Sequence, residues 1–543
     1  MQYSLIIRNG LVVEGTGSPW FRADVGIATD KIARIGLLAD ASTKQMIDAS
    51  GKVVCPGFID AHSHSDTAIL INPRAESKVR QGVTTEVIGN CGSSAAPLND
   101  LLRERLEAPT STLRQVGIRP KWNTMNEYLE TLKSRGIAVN IAALVGHGNI
   151  RAMVMKFDRR EPTRKELGRM TQIAERAIQD GAVGLSTGLI YPPSSYAKTK
   201  EIVQLAMAVG KLGGIYTSHI RGEGETLFQA VKEAITIGEK ASIPVQISHH
   251  KAGGRNNWGK VKQTLRMIRQ ARDNGIDVTC DVYPYVASSF SLSAMLPPWV
   301  HEGGHSASMA RLKDPVTRRR VRHDMIAGIG GWMSPLKSAG WDKTVISSSP
   351  HHPAYEGLTV SEAAKNAKKD PFEFTFNLLI QENFAPRVVR FGIKEDDVRT
   401  VLSYSDTMIG SDGSCLAPYG PLGKGKPHPR NYGTFPRVIA QYVRQTKLLR
   451  LEEAIRRMTS LPAQRFKLQG RGIVRTGMYA DLCVFDPSKI QDTATYSRPH
   501  QYPKGITHVI VNGQVVVKNG NHTGKLPGKP ITPHHNHGIG KFA

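Results

Sequence analysis

Cysteine, aromatic residues and acids are all scarce in this chain: 5 cysteines, 6% aromatic residues, and 46 acidic against 72 basic residues in 543. Five thiols, at Cys55, Cys91, Cys280, Cys415 and Cys483, are too few and too scattered for a disulfide framework. An odd number leaves at least one free and points to a reducing compartment. No apolar run approaches the roughly 20 residues that cross a bilayer. The start, Met1–Gly10, shows no basic region, long apolar core or cleavage site of a secretory leader. The expectation is a cytoplasmic protein with no membrane partner.

The shortage of acids leaves a formal charge of +26. A nucleic-acid partner is not expected, because basic stretches such as Arg311–Arg322 include an acid, Asp314, and lack aromatic stacking residues. They read as solvated helical faces. A positive field of this kind would draw in small carboxylate-bearing molecules. The hydrophobic content of 40% and the length suit one large globular domain plus a smaller one.

Eight β-like runs begin near residues 58, 84, 139, 182, 214, 244, 276 and 406. Each ends in polar or glycine residues, and most are separated by amphipathic helical stretches. Apolar strands alternating with helices predict a parallel α/β fold, and eight of them a (β/α)8 TIM barrel, placed at 56–470. The stretch from about 288 to 343, with Pro297-Pro298-Trp299, is too long for a simple loop and reads as an insertion between strands seven and eight. At the two ends, Leu5–Val13 and Val509–Val517 each hold an Asn-Gly pair and read as hairpins with type I′ turns. Segments 1–55 and 471–530 are therefore expected to form one small β-sandwich domain. The tail 531–543, with His534, His535 and His537, is expected to be flexible and without function.

The first barrel strand delivers His62-Ser63-His64. Side chains at i and i+2 of a strand share a face, so both imidazoles can converge on one metal ion. Other strand ends carry ligand-type residues as well: Cys91, His219, His249 or His250, and Asp412. In a barrel these ends meet at one mouth.

The motifs PGFIDAHSHSD, GVTTEVIGNCG, GLSTGLIYPP, TSHIRGEGE, QISHHKAGG, DVYPY, IGSDG and HPRNYGTFPRV cover nearly the whole chain. With them the sequence resembles the amidohydrolase superfamily, and more narrowly the N-acyl-D-amino-acid deacylases (D-aminoacylases). The resemblance implies a tight zinc site of Cys91, His219 and His249, with His249 preferred to His250 from the family pattern Ser-His-x-Lys. It also implies a weaker second metal site near His62, His64 and Asp412. One thiolate and two imidazoles leave a zinc position open, as catalysis requires. Asp412 would take a water's proton and deliver it to the leaving amine. Arg430 would contact the α-carboxylate of a small N-acyl-D-amino acid substrate, with Lys251 and Tyr283 as further substrate contacts. Lys251 and its basic surroundings would govern how acidic a side chain is accepted. The Gly- and Pro-rich loop from Cys415 to Lys426 is expected over the mouth.

Two other functions compete. Hydantoinase-type cyclic-amide hydrolases use a bridging carboxylated lysine, and the fourth strand, Gly184–Ile190, contains no lysine. A non-catalytic scaffold would show gaps among the ligand positions, and all are filled. His301-Glu302-Gly303-Gly304-His305 matches the H-E-x-x-H pattern of zinc proteases, but its two glycines oppose the helix that pattern needs.

Overall fold

The computed structural model describes residues 2–108, 111–330, 332 and 334–533; the histidines of the tail lie outside the described residues. All eight expected runs form one parallel sheet: β1 Phe58–Asp60, β2 Val83–Ile88, β3 Asn140–Gly146, β4 Gly184–Gly188, β5 Ile215–His219, β6 Val245–Ile247, β7 Val278–Val282 and β8 Thr407–Ile409. Their order in the sheet is their order in the chain. The barrel closes where the extensions of β1 and β8 meet. The Ala61 N–H donates to Ile409 O at 3.3 Å, the Asp412 N–H to His62 O at 2.8 Å, and the His64 N–H to Gly413 O at 2.8 Å. Inside, Ile59, Val87, Ala142, Leu144 and Met408 pack onto Leu461, Phe466 and Leu468.

The helices outside follow from periodicity and caps. Helix Val261–Asp273 buries Val261, Thr264, Leu265, Ile268 and Ala271, a single stripe against the sheet. Each large apolar side chain in that stripe contributes about 1.5–3 kcal/mol. Helix Arg164–Gln179 starts at a capping box of Thr163 and Glu166. Among the described residues, no helix is long and apolar enough to cross a membrane.

Both ends of the chain enter a nine-stranded sheet, joined where Val53–Pro56 pairs antiparallel with Leu482–Phe485 and Cys55 faces Cys483. The two Asn-Gly pairs differ. Asn512 and Gly513, at φ 45° and 78°, make the expected hairpin turn between Ile506–Val511 and Gln514–Lys518. Asn9-Gly10 does not turn: strand Leu5–Val12 runs straight through it, and the register shift between Ile7 and Gly10 makes it a bulge. The Asn9 N–H is satisfied there by Asp24 Oδ1 at 2.9 Å.

Between β7 and helix Glu395–Ser403 the chain leaves the barrel for longer than 288–343. Ala287–Ser291, Arg387–Phe391 and Thr344–Ser348 form a separate antiparallel sheet, with Arg387–Phe391 in the middle. This sheet has its own core of Leu292, Trp299, Val321, Ile346, Phe376 and Val388. The loop Cys415–Lys426 ties it to the barrel rim. The Cys415 N–H donates to Ser65 Oγ at 2.8 Å, and the Lys426 N–H to Ser347 O at 2.7 Å.

Candidate metal centre

Strand ends bring the ligand-type residues together. Cys91 Sγ lies 3.4 Å from His62 Nε2, 3.5 Å from His249 Nε2 and 3.6 Å from His219 Nδ1. Two donor groups share this thiol: Cys91, His219 and His249, and His62, His64, Cys91 and Asp412, each with its ligand atoms within 4.8 Å of one another. In a tetrahedral site with Zn–S of about 2.3 Å and Zn–N of about 2.0–2.1 Å, sulfur and nitrogen ligands stand about 3.5 Å apart. The spacings to His249 and His219 fit that value, so these residues fit a zinc ion. His250 turns away: its Nε2 meets Thr264 Oγ1 at 2.8 Å in the barrel wall.

Three of these residues leave their strands in a left-handed backbone conformation, Cys91 at φ 54°, His249 at 35° and Asp412 at 50°. Such conformations cost non-glycine residues about 1–3 kcal/mol each and persist only where the surroundings impose them. Neighbouring glycines make the room. A Cβ at Gly188 would stand 2.1 Å from Cys91 O, and one at Gly410 would stand 2.6 Å from His62 Cβ.

The thiols differ in acidity. Burial pushes Cys55, Cys280 and Cys415 up, Cys280 to about 12. Burial also raises Cys91, but the charge of His62 and hydrogen bonds from His219 and His249 outweigh it and hold that thiol well below its usual value. Cys91 is therefore suited to be a thiolate, the form that ligates metal.

Around the donors lies a layer the motifs alone did not disclose. Asp281, on β7, accepts from the His249 N–H at 2.8 Å and from Gln246 Nε2 at 2.8 Å, and stands 3.4 Å from His62 Nδ1. Glu223 Oε1 is 3.1 Å from His249 Nδ1, the carboxylate–histidine contact that orients a ligating imidazole. Lys78 is fully buried, and its Nζ contacts Asp60 Oδ2 at 2.7 Å, Ser411 Oγ at 2.6 Å and Gly413 O at 3.2 Å. It thereby joins the start of the His-x-His segment to both neighbours of Asp412. A buried ammonium is tolerable only with such partners. The available signals were an acid within the apolar strand Val278–Val282 and one two residues past Arg221; nothing local marks Lys78.

Asp412 sits between the donors and a cation. Its Oδ1 is 3.0 Å from His64 Nε2 and 3.6 Å from His62 Nε2, while Oδ2 is 2.8 Å from Arg430 Nη1. Burial raises this carboxyl, but Arg430 and His249 outweigh it and hold it well below the usual range. Arg430 also donates through Nη2 to Ser289 O at 3.3 Å and stacks 5.0 Å from the Tyr283 ring. The Tyr283 hydroxyl is buried and, among the described residues, has no hydrogen-bond partner. Lys251 is engaged by Glu223, donates to His249 O at 2.7 Å and lies 2.8 Å from His249 Nδ1.

His301 and His305 stand apart from this cluster. His301 Nε2 meets Ser293 O at 3.1 Å, and His305 Nε2 meets Asn383 Oδ1 at 2.7 Å. The two histidines belong to different helical segments, Pro298–His301 and His305–Lys313. Replacing both with alanine is expected to leave the zinc stoichiometry unchanged by elemental analysis, and loss of a full equivalent would revive the protease reading.

The chain is similar to known proteins along nearly its whole length. The amidohydrolase family matches residues 45–517. A D-aminoacylase of Alcaligenes xylosoxydans xylosoxydans is 37% identical over 529 residues, covering 97% of each chain. From the same organism, an N-acyl-D-glutamate deacylase is 36% identical, covering 94% of this chain and 93% of its own. An N-acyl-D-aspartate deacylase there is 35% identical, covering 98% and 95%. Among solved structures, N-acyl-D-glutamate deacylase from Bordetella bronchiseptica, complexed with zinc and a phosphonate inhibitor, is similar with a TM-score of 0.82 at 33% identity, covering 98% of this chain and 100% of that one. A D-aminoacylase described by its binuclear metal centre gives 0.81 at 36%, with the same coverage. With a family match over most of its length and relatives above 30% identity along nearly all of it, this chain belongs to the amidohydrolase family, among its N-acyl-D-amino-acid deacylases.

Proposed function

We propose that the protein is a zinc-dependent hydrolase that cleaves the amide bond of N-acyl-D-amino acids to a D-amino acid and a carboxylate. The observation that carries this reading is the position of Asp412, held between the imidazoles of His62 and His64 on one side and Arg430 on the other. Zinc held by Cys91, His219 and His249 would polarise the scissile carbonyl and acidify a water. Asp412 Oδ1 accepts the proton of the attacking water and returns it to the nitrogen of the departing amine, which leaves poorly unless protonated. Arg430 holds Oδ2, fixing the carboxylate's orientation while presenting the rest of its fork to the substrate's α-carboxylate. Tyr283, whose buried hydroxyl has no partner among the described residues, has a donor to offer the same group.

A panel of N-acetyl-D- and N-acetyl-L-amino acids beside hydantoin, read together with zinc content, tests the proposal. Turnover of the D-series with one or two zinc per chain is expected. Hydrolysis of hydantoin alone would turn the reading to the cyclic-amide hydrolases.

Arg430→Met removes charge-assisted hydrogen bonds worth about 1.5–3 kcal/mol each, so kcat/KM should fall at least roughly tenfold for every N-acyl-D-amino acid. The ammonium of Lys251 faces Glu223 and His249, and a role of Lys251 at the reaction centre predicts that Lys251→Met lowers kcat/KM on acidic and apolar substrates alike. A loss confined to acidic substrates would restore the side-chain role.

A further inference from the structure

We infer that Lys78 is a positioning residue for the reaction: from behind the barrel wall it holds Asp412 in a strained backbone conformation and so aims that carboxylate between His64 and Arg430. The inference rests on the deacylase reading, which makes Asp412 the proton carrier.

The argument begins where the barrel closes. Ile59 on β1 and Val87 on β2 face the barrel interior, so their neighbours Asp60 and Glu86 face outward. There they meet Lys78, on the short helix Glu76–Val79, and all three side chains are fully buried. Lys78 Nζ lies 2.7 Å from Asp60 Oδ2 and 3.5 Å from Glu86 Oε2.

This cluster holds the residues on either side of the two side chains that must face each other. Ser63 and Ser65 flank His64, and both hydroxyls donate to Glu86 Oε2, that of Ser65 at 2.5 Å. Ser411 and Gly413 flank Asp412. The Ser411 N–H donates to Asp60 Oδ1 at 2.8 Å and its hydroxyl to Asp60 Oδ2 at 2.6 Å. Lys78 Nζ is 2.6 Å from Ser411 Oγ, 3.2 Å from Gly413 O and 3.3 Å from Ser63 Oγ, so the ammonium touches both flanks at once.

What this hold opposes is visible in the backbone. Asp412 sits at φ 50°, a left-handed conformation unfavourable for a residue with a Cβ. Such a conformation persists where its surroundings over-determine it, and here the residues before and after Asp412 are both tied to the cluster. Released, the backbone would relax and carry the carboxylate away from His64 Nε2 at 3.0 Å and Arg430 Nη1 at 2.8 Å.

The same run of chain reaches the Arg430 side. Ser77 Oγ accepts from the Leu416 N–H at 2.7 Å. Gln81 Nε2 donates to Asn431 O at 2.9 Å, and Gln81 Oε1 accepts from the Phe435 N–H at 3.3 Å. Residues 77–81 therefore hold the loop after Asp412 and the helix Arg430–Arg437 against one another, with Lys78 between them.

The test compares zinc-loaded wild type with Lys78→Met, Ser411→Ala and the paired Lys78→Met/Asp60→Asn on N-acetyl-D-methionine, N-acetyl-D-glutamate and hydantoin, each also made in the Asp412→Asn protein. Every variant of the otherwise wild-type protein should lose about 10- to 100-fold in kcat on both N-acyl substrates, the scale of a reacting group displaced by about 1 Å. KM should stay within about twofold, and zinc at Cys91, His219 and His249 should be retained. Lys78→Met leaves two buried carboxylates without their cation and is the variant that threatens folding. The paired substitution removes an acid with the base and should melt near wild type, as Ser411→Ala should. In the Asp412→Asn protein the same substitutions should lower kcat no further, because a residue that acts through Asp412 has nothing left to aim. An undiminished further loss there assigns Lys78 to general support of the fold and overturns the inference, as does wild-type kcat in the folded paired variant; both leave the deacylase reading standing. A wild type that hydrolyses hydantoin and neither N-acyl substrate overturns the deacylase reading, and the same comparison on hydantoin then decides the role of Lys78. A zinc-loaded wild type that hydrolyses none of the three overturns both.

Discussion

Asp412→Asn is expected to retain zinc at Cys91, His219 and His249 and to lose about 10²- to 10⁴-fold in kcat, the range that a positioned acid–base group supplies. An asparagine amide fills nearly the same volume and can still hydrogen-bond to Arg430 and His64, so the loop between Ser411 and Gly413 should keep its course. What disappears is an oxygen that can take up a proton and give it back. Asp412 belongs to only one of the two donor groups that contain Cys91, so the substitution should weaken metal binding there and spare the other. Elemental analysis beside steady-state kinetics separates these effects, and wild-type turnover in the variant would sink the assignment of Asp412 as the proton carrier.

Cys91→Ala is expected to do the reverse, removing the metal and the activity with it. The thiol stands 3.4–3.6 Å from three imidazole nitrogens and is common to both donor groups, so its loss leaves neither group complete. Two imidazoles without the thiolate lack both its charge and the third protein ligand of a catalytic zinc site. Less than one tightly held zinc per chain, and no hydrolysis, is the expected result. A full equivalent of zinc after dialysis against a weak chelator would make Cys91 a packing residue only.

The barrel was legible because its strands are short apolar runs ending abruptly in polar residues, and all eight lie where that pattern placed them. The cluster of ligand-type side chains was legible for the same reason: in this fold the residue just past a strand points into the mouth. What escaped was whatever depends on partners distant in sequence. Asp281 and Glu223 are conspicuous only once His249 lies beside them, and Lys78 sits on the short helix Glu76–Val79 with no motif around it. The two Asn-Gly pairs make the same point at short range. Asn512-Gly513 bends because both residues take positive φ, whereas at Asn9-Gly10 only Asn9 does, and pairing with Phe21–Ala28 carries the strand onward.

The join between Val53–Pro56 and Leu482–Phe485 has a meaning for how the chain is made. Cys55 and Cys483 are 428 positions apart, a distance that a ribosome working at about 5–20 residues per second covers in roughly 20–90 s. Throughout that interval the first strands exist with the edge of Val53–Pro56 unpaired, the kind of edge that recruits strands from other chains. The barrel is synthesised in between and can shelter that edge only in part. Leu482–Phe485, which emerges only after the whole barrel, is the strand that covers it, so a transcript truncated after the barrel would yield a chain holding every candidate metal donor yet displaying an adhesive β edge.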